Sequence, residues 1–285
     1  MKKICVVIPM YNFPELTDKC IDLVRSNSGV PVDILVVDDC SDTHYQYHNN
    51  FLSGGYRPFI NRLKKNSGYT NATNQGIIQC LDKGYDYVHL LNNDTEPEPD
   101  FIKILLETFD KDPSIGIACS ARKERKGNNQ HIENYPIDLL AGWQLVSQHD
   151  MPEDYYYAAW IPLCSALIKR ETILYTGLLD KRMRNHCSDN DFCVRAGVLG
   201  YKTVLVPKSK VFHIHEVTTT SVGANAAVDQ NVLMTKIRCD YMTHLLKQYP
   251  LTGDTKVMGK LEFSIEQKEG NNGSNQRAAV QTPSS

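Results

Sequence analysis

Short apolar runs alternate with longer stretches of helical periodicity through the N-terminal part of the chain. Ile4-Cys5-Val6-Val7-Ile8 is an unbroken run that stops at Pro9. Residues 14–27 then place Leu16, Cys20, Ile21, Leu23 and Val24 on one helical face, with Pro14 in the first turn, where its missing N–H costs little. Ile34-Leu35-Val36-Val37 is the next buried strand. A third strand is expected near 57–62, a helix over 69–83 up to Gly84, and a fourth strand over Tyr85–Leu91. Continuous apolar strands separated by helical segments predict a mostly parallel sheet with helices on both faces, an α/β architecture.

The pattern continues with a helix over 99–110 (Phe101, Ile104, Leu105, Phe109) and a strand over 115–119. Residues 121–157 carry the basic segment Arg122-Lys123-Glu124-Arg125-Lys126 and the cluster Tyr155-Tyr156-Tyr157, and they read as a long functional loop without regular elements. Order returns with the apolar segment Ile161–Ile168, a helix over 189–199 and a strand over 203–206. Val232, Leu233, Ile237, Tyr241, Leu245 and Leu246 recur at helical spacing and predict a further helix over 228–248. From about residue 266 the chain is polar and rich in Gly, Asn and Ser, the composition of a disordered tail.

In an open parallel sheet, ligands bind beyond the carboxyl ends of the strands, so the residues that stop each apolar run carry the interest. The first run ends in Pro9-Met10-Tyr11-Asn12, the second in Asp38-Asp39-Cys40-Ser41-Asp42 and the fourth in Asn92-Asn93-Asp94. One such aspartate would be an ordinary turn or cap residue. Three polar ends on one rim predict a binding site. The GxGxxG dinucleotide fingerprint and the GxxxxGK[ST] phosphate loop are both missing, which weakens two common uses of such a unit.

Composition removes several classes. With 285 residues, 41% hydrophobic and 22% charged, the chain can bury a full core. A formal net charge of -2, from 31 basic and 33 acidic residues, predicts no general nucleic-acid affinity. The 9 cysteines are scattered without a CxxC pair and several fall in apolar runs, which predicts small buried thiols over a zinc site or a disulfide framework. No apolar stretch reaches the roughly 20 residues of a membrane span, and the start MKKICVVIPM lacks a signal-peptide core. The expected location is cytoplasmic, with peripheral attachment to the inner face of a membrane left open.

Seven stretches in order resemble the family 2 glycosyltransferases of the GT-A fold. VVIPMYN is similar to the family's opening strand, VVDDCSD to its VDDxSxD segment, NSGYTNATNQGI to its NxGxxxAxNxGI stretch, and LLNNDTEP to the strand that ends in a DxD-type metal motif. YAAWIPLCSALIKRETILYTGLLD, SDNDFCVRAGVLGY and VFHIHEVTTTS follow in the family's order, so the resemblance covers about residues 3–221.

The resemblance implies an inverting, metal-dependent transfer of a sugar from a nucleoside diphosphate, UDP or dTDP, to a hydroxyl acceptor such as a glycan or a lipid-linked carrier. Pro9, Tyr11, Asn12, Asp38, Asp39, Asn66, Asn74, Asn92, Asn93 and Asp94 would line the nucleotide-sugar site, with Gly76 beside them. Asp94 and His213 would hold Mn²⁺ or Mg²⁺, hard cations that favour oxygen ligands, with His215 as the other candidate imidazole. Asp189 would be the general base; Asp191 competes for that role or supports the helix, and Arg195 pairs with a nearby acid. Trp160 and Ser165 would face the acceptor and donor-sugar pocket, core packing being the other reading of Trp160. Two positions depart from the family: Asn92 stands where the first acid of DxD is usual, and Ser188, read as a helix N-cap, stands where a Glu is usual. These departures keep open a decayed, non-catalytic sugar-nucleotide binder. The expected organisation is a nucleotide-sugar half over 1–98, an acceptor and catalytic half over 99–221, a helical extension over 222–250 and a tail over 251–285.

Overall fold

The period-two alternation of the first apolar runs sorts their side chains onto two faces of one sheet. The structure is a computed structural model that describes residues 2–47, 57–126, 130–134, 154–158 and 160–214. In β1 (Ile4–Met10) and β2 (Asp33–Asp38), Cys5, Val7, Leu35 and Val37 enter one hydrophobic cluster while Ile4, Val6, Ile8, Ile34 and Val36 enter the other. β3 (Phe59–Arg62) and β4 (Tyr87–Leu91) complete a parallel quartet in the order β3-β2-β1-β4. Each fully buried Val, Leu or Ile contributes about 1.5–3 kcal/mol, so this double-faced core is the main driving force of the N-terminal half. Pro9 does not end its strand as expected. It lies past the last β1–β4 pairing, Val7↔Leu90, where no ladder N–H is required of it.

Helices α1 (Pro14–Asn27) and α2 (Tyr69–Asp82) cover the quartet from opposite faces, at nearly the predicted boundaries. Gly76 is a packing residue: a Cβ there would meet Val7 Cγ1 at 2.3 Å, so the glycine is what lets α2 lie against β1.

Beyond β4 the sheet becomes mixed. β9 (Ser165–Lys169) runs antiparallel between β4 and β6 (Ile115–Lys126), β10 (Lys202–His213) is parallel to β6, and the short β5 (Thr95–Pro97) is antiparallel to β10 at the far end. β7 (Gln130–Asn134) pairs with β6 and β8 (Tyr156–Ala158) with β10. The expectation of a structureless 121–157 is therefore corrected at both ends: β6 continues to Lys126, and β7 and β8 are regular strands. The basic segment reads as loop by composition, but its backbone is taken into the ladder by β7 and β10. Three short helices pack on this half, α3 (Phe101–Thr108), α4 (Arg170–Thr176) and α5 (Ser188–Val198). β5 and α4, at three and seven residues, are too short to show a period in sequence.

Among the described residues no helix is long and apolar enough to cross a membrane. Eight described cysteines are free thiols, six of them buried as expected, and burial pushes the Cys20 thiol up to about 12. The predicted helix over 228–248, the tail and His215 lie outside the described residues.

Candidate active site

The rim of β1, β2 and β3 is closed upon itself. Asp38 is fully buried at the end of β2; its Oδ1 accepts from the Ser41 N–H (2.8 Å) and its Oδ2 pairs with Arg62 Nη1 (2.5 Å) at the end of β3. Asp39 Oδ1 accepts from the Ser67 N–H and hydroxyl (2.8 Å each), and its Oδ2 accepts from the Gly68 N–H at 2.7 Å. It clamps the entry to α2, where Gly68 has φ 89, a conformation that favours glycine. Asn12, with φ 59, receives the Asp42 N–H on Oδ1 (2.9 Å) and gives Nδ2 to Asp42 Oδ2 (3.2 Å), while its own N–H goes to Ser41 Oγ at 2.8 Å. Asp38, expected at the nucleotide, is thus anchored through both oxygens, each of which keeps a lone pair for a further donor. Tyr11, at 41% exposure, is the open surface of this rim, and Pro9 is buried beneath it.

Asn66 and Asn74 part company. Asn66 lies on the surface and its Oδ1 accepts from Arg184 Nη2 at 2.5 Å. Asn74 is buried and its amide is matched at both ends by one residue: Nδ2 donates to the Leu179 carbonyl (2.8 Å) and Oδ1 accepts from the Leu179 N–H (3.0 Å). Asn74, expected at the nucleotide, thus fastens α2 to the segment after α4.

At the end of β4 the chain turns so that Asn92 and Asp94 face one way and Asn93 the other. Asn93, expected in the nucleotide-sugar site, donates its Nδ2 to Thr17 Oγ1 of α1 (3.1 Å). Thr95 Oγ1 closes the turn on the Asn92 carbonyl (2.7 Å), and the Ile214 N–H bonds the Asp94 carbonyl (2.9 Å), which draws the end of β10 alongside. His213 Nε2 consequently lies 3.2 Å from Asp94 Oδ1 and 3.2 Å from Asn92 Nδ2. Asn92 Oδ1 is buried with no hydrogen-bond partner in the protein. A buried amide oxygen left unsatisfied beside a carboxylate and an imidazole fits a divalent cation, since the missing partner is an electrophile. Among the described residues no three His, Cys, Asp or Glu side chains converge, so such a cation would complete its shell with substrate oxygens and water.

The third edge is the first turn of α5. Asp189 is half-buried; its Oδ1 accepts the Asn190 N–H at 2.9 Å, and burial raises its carboxyl above the usual 3.8, against the pull of backbone N–H groups of Asn190, Asp189 and Leu163 and of nearby His186. Leu163 and Cys164 link the two edges in sequence: the Cys164 carbonyl takes the Asn92 N–H at 3.0 Å, and the backbone N–H of Leu163 is among the groups that favour the Asp189 carboxylate. Asp191, fully buried, pairs through Oδ2 with Arg195 Nε (2.8 Å), and Arg195 bonds the carbonyls of Thr176 and Leu178. That pairing sets Asp191, expected as the competing base or as support of the helix, against Arg195 one turn on. Ser188 is no N-cap: it lies inside the helix, buried, and bonds Thr70 Oγ1 at 2.9 Å, while Cys187 with φ 64 holds the cap position without a side-chain capping bond to the helix.

Trp160 is half-buried and packs against the hydrophobic cluster under α2 and α5. Ser165, expected at the acceptor and donor-sugar pocket, is 1% exposed and hydrogen-bonds Ser120 Oγ (2.8 Å) and His89 Nε2 (3.2 Å) within the sheet. The reading of the sequence missed Tyr69, the first residue of α2. Its phenol is raised first by burial and then by the charge of Asp189, with Asp94 contributing, which sets it between the two edges. It occupies a variable position of the NxGxxxAxNxGI pattern, so no motif could single it out.

Comparison with known proteins adds the family. The model of Glycosyl transferase family 2 matches residues 5–170, more than half of the chain. The chondroitin synthase of Pasteurella multocida (strain Pm70) is 27% identical over 131 residues, which is 46% of this chain and 13% of that protein. The amylovoran biosynthesis glycosyltransferase AmsB of Erwinia amylovora is 24% identical over 214 residues, 70% of this chain and 66% of that one. The chain thus spans a small part of the synthases it matches and about two thirds of AmsB. Among solved structures, GalNAc-T7 with UDP, GalNAc and Mn²⁺ superposes with a TM-score of 0.64 at 16% identity, covering 87% of this chain and 50% of that one, a likeness of fold. With its mixed α/β sheet, its GT-A architecture and more than half its length matched by that one model, the chain belongs to glycosyl transferase family 2.

Proposed function

We propose that this glycosyltransferase moves a sugar from a UDP- or dTDP-sugar to a hydroxyl of a growing glycan, with inversion at the anomeric carbon. The observation that carries the proposal is the pairing of two edges on one rim: Asn92, Asp94 and His213 converge within 3.2 Å contacts, and Asp189 with its raised carboxyl stands across the Leu163-Cys164 bridge. Asp94 and His213, with the Asn92 amide oxygen beside them, would hold Mn²⁺ or Mg²⁺. Such an ion offsets the charge that grows on the leaving diphosphate. Asp189 takes the proton of the acceptor hydroxyl as that oxygen bonds to C1 and the C1–phosphate oxygen bond breaks from the opposite face. Burial makes its carboxylate a stronger base than an exposed one.

Asp38 and Asp39 act one step back. Through Arg62, Ser41 and Ser67 they hold the loops that present Tyr11 and the backbone to the nucleotide. Residues 1–98 are thus assigned to the nucleotide-sugar half and 99–221 to the acceptor half. The glycan acceptor is suggested by the relatives named for chondroitin and amylovoran synthesis.

A thermal-shift panel of nucleoside diphosphates and their sugars, with and without Mn²⁺, tests the site; stabilisation by a diphosphate that deepens with Mn²⁺ is expected. No stabilisation by any of them would overturn the proposal. Binding without release of UDP from any sugar donor and glycan would instead favour a non-catalytic binder, the reading to which Asn92 and Ser188 lend support.

A further inference from the structure

A buried file of hydroxyls crosses the sheet directly beneath the metal edge. Ser209 Oγ of β10 donates to the Phe101 carbonyl (2.9 Å) and shares a hydrogen bond with Ser120 Oγ of β6 (2.8 Å). Ser120 in turn meets Ser165 Oγ of β9 at 2.8 Å, and Ser165 meets His89 Nε2 of β4 at 3.2 Å. All four side chains are at most 3% exposed. The direction of the file follows from its end. Ser209 can reach a carbonyl only as donor, so Ser120 donates to Ser209, Ser165 to Ser120, and His89 through Nε2–H to Ser165. His89 is neutral: burial pushes its pKa down to about 3, and its ring sits edge-on to Phe101 at 5.3 Å.

Ser209 stands where the strand register breaks. Val206 pairs with Ser120 and Lys210 with Ala121, so Pro207, Lys208 and Ser209 stand opposite a single peptide link of β6. A bulge of this kind changes the aim of the residues that follow it. Here those residues are Lys210 to His213, which pair onward with β5 and bring His213 to Asp94. An odd insertion also reverses which face each later residue takes, since strand side chains alternate. Pro207 and Ser209 are the buried bulge residues and Ser209 alone of them carries a hydroxyl; the file ties it to β4 and β9, which adjoin Asn92 and Cys164, and to β6, which holds the partner of His213.

We propose that the Ser209-Ser120-Ser165-His89 file is a register lock that positions His213, and through it the metal edge; the proposal rests on Asp94 and His213 binding the cation. These are positioning residues, with no contact to the sugar nucleotide. A polar group that orients a metal ligand is worth about 10–100-fold in metal affinity.

The test is a titration of the full chain with Mn²⁺ in the presence of UDP, followed by electron paramagnetic resonance well below the unfolding temperature. Ser209→Ala is expected to weaken Mn²⁺ on the order of tenfold and to change the shape of the bound-ion spectrum. A global loss of stability would alter neither in the folded fraction. Should Ser209→Ala fail to fold, Ser120→Ala carries the test: it keeps the Ser209–Phe101 bond, cuts the file, and is expected to weaken Mn²⁺ severalfold. Folded variants with unchanged affinity and spectrum overturn the lock alone. Asp94→Ala is the separate check on the metal edge. If that variant retains the ion, or the unaltered chain never binds it, the metal reading falls and the lock with it.

Discussion

Two parts of one rim carry similar polar sequences and are built for opposite purposes. At the ends of β1, β2 and β3, Asp38, Asp39 and Asn12 are paired within the chain: Arg62, Ser41, Ser67, Gly68 and Asp42 take up their oxygens. At the ends of β4 and β10 and the head of α5, Asn92 Oδ1 is left without a protein partner and Asp189 bears a burial penalty on its charge. A polar group satisfied inside the fold contributes rigidity, and one left in want of a partner is poised for a ligand. Acidity at a strand end therefore marks the rim. Pairing decides which residues on it do chemistry.

The largest expected effect breaks the comparison at Asp189. Asp189→Asn should lower kcat by about 10²–10⁴ in an assay of UDP release, with little change in the affinity for UDP. Stability should move the other way. A carboxyl raised above 3.8 in the folded state binds its proton more tightly there, so stability falls as pH rises from that value to the raised one and is flat above it. The Asn variant lacks that penalty and should melt no lower than the parent near neutrality, by calorimetry. The acid limb of kcat/KM should fall above the ordinary carboxylate range.

Next comes the paired side. Arg62→Ala leaves the buried Asp38 carboxylate alone and should cost about 3 kcal/mol in urea unfolding. Any loss of UDP binding should follow the loss of structure, and unchanged stability would contradict the anchoring role. Asn74→Ala removes both bonds to Leu179 and should cost about 1–3 kcal/mol by the same measurement, with Mn²⁺ affinity retained. The smallest effect sharpens the open side: Asn92→Asp adds a second carboxylate and should tighten Mn²⁺ by on the order of a few-fold, read by titration calorimetry with UDP. Weaker binding there would show that the amide oxygen is no ligand.

Much of the fold was legible in the chain. The alternating apolar runs became β1, β2 and β4, and the predicted 14–27 and 69–83 helices became α1 and α2 within a residue. β7, β8 and the second half of β6 were not legible, because their basic and tyrosine-rich residues enter a sheet only when β6 and β10 supply partners. Of the candidate site, Asp94, His213 and Asp189 were named from motif order, and the fold brings Asp94 and His213 to 3.2 Å. Tyr69 carried no motif signal, and the protein partners of Asp38, Asn74, Asn93 and Ser165 could not be read from their local sequence.

The sequence by itself determined the α/β architecture, the covered sheet and the rim on which the polar strand ends gather, because side-chain period and strand ends are local properties. The tertiary structure alone decided which of those polar groups were spent and which were left over. In each case the deciding partner is remote in sequence: Arg62 is 24 residues from Asp38, Leu179 is 105 from Asn74, and His213 is 121 from Asn92. A donor that arrives from a distant strand takes up part of a polar group's hydrogen-bonding capacity, and no local pattern records its arrival.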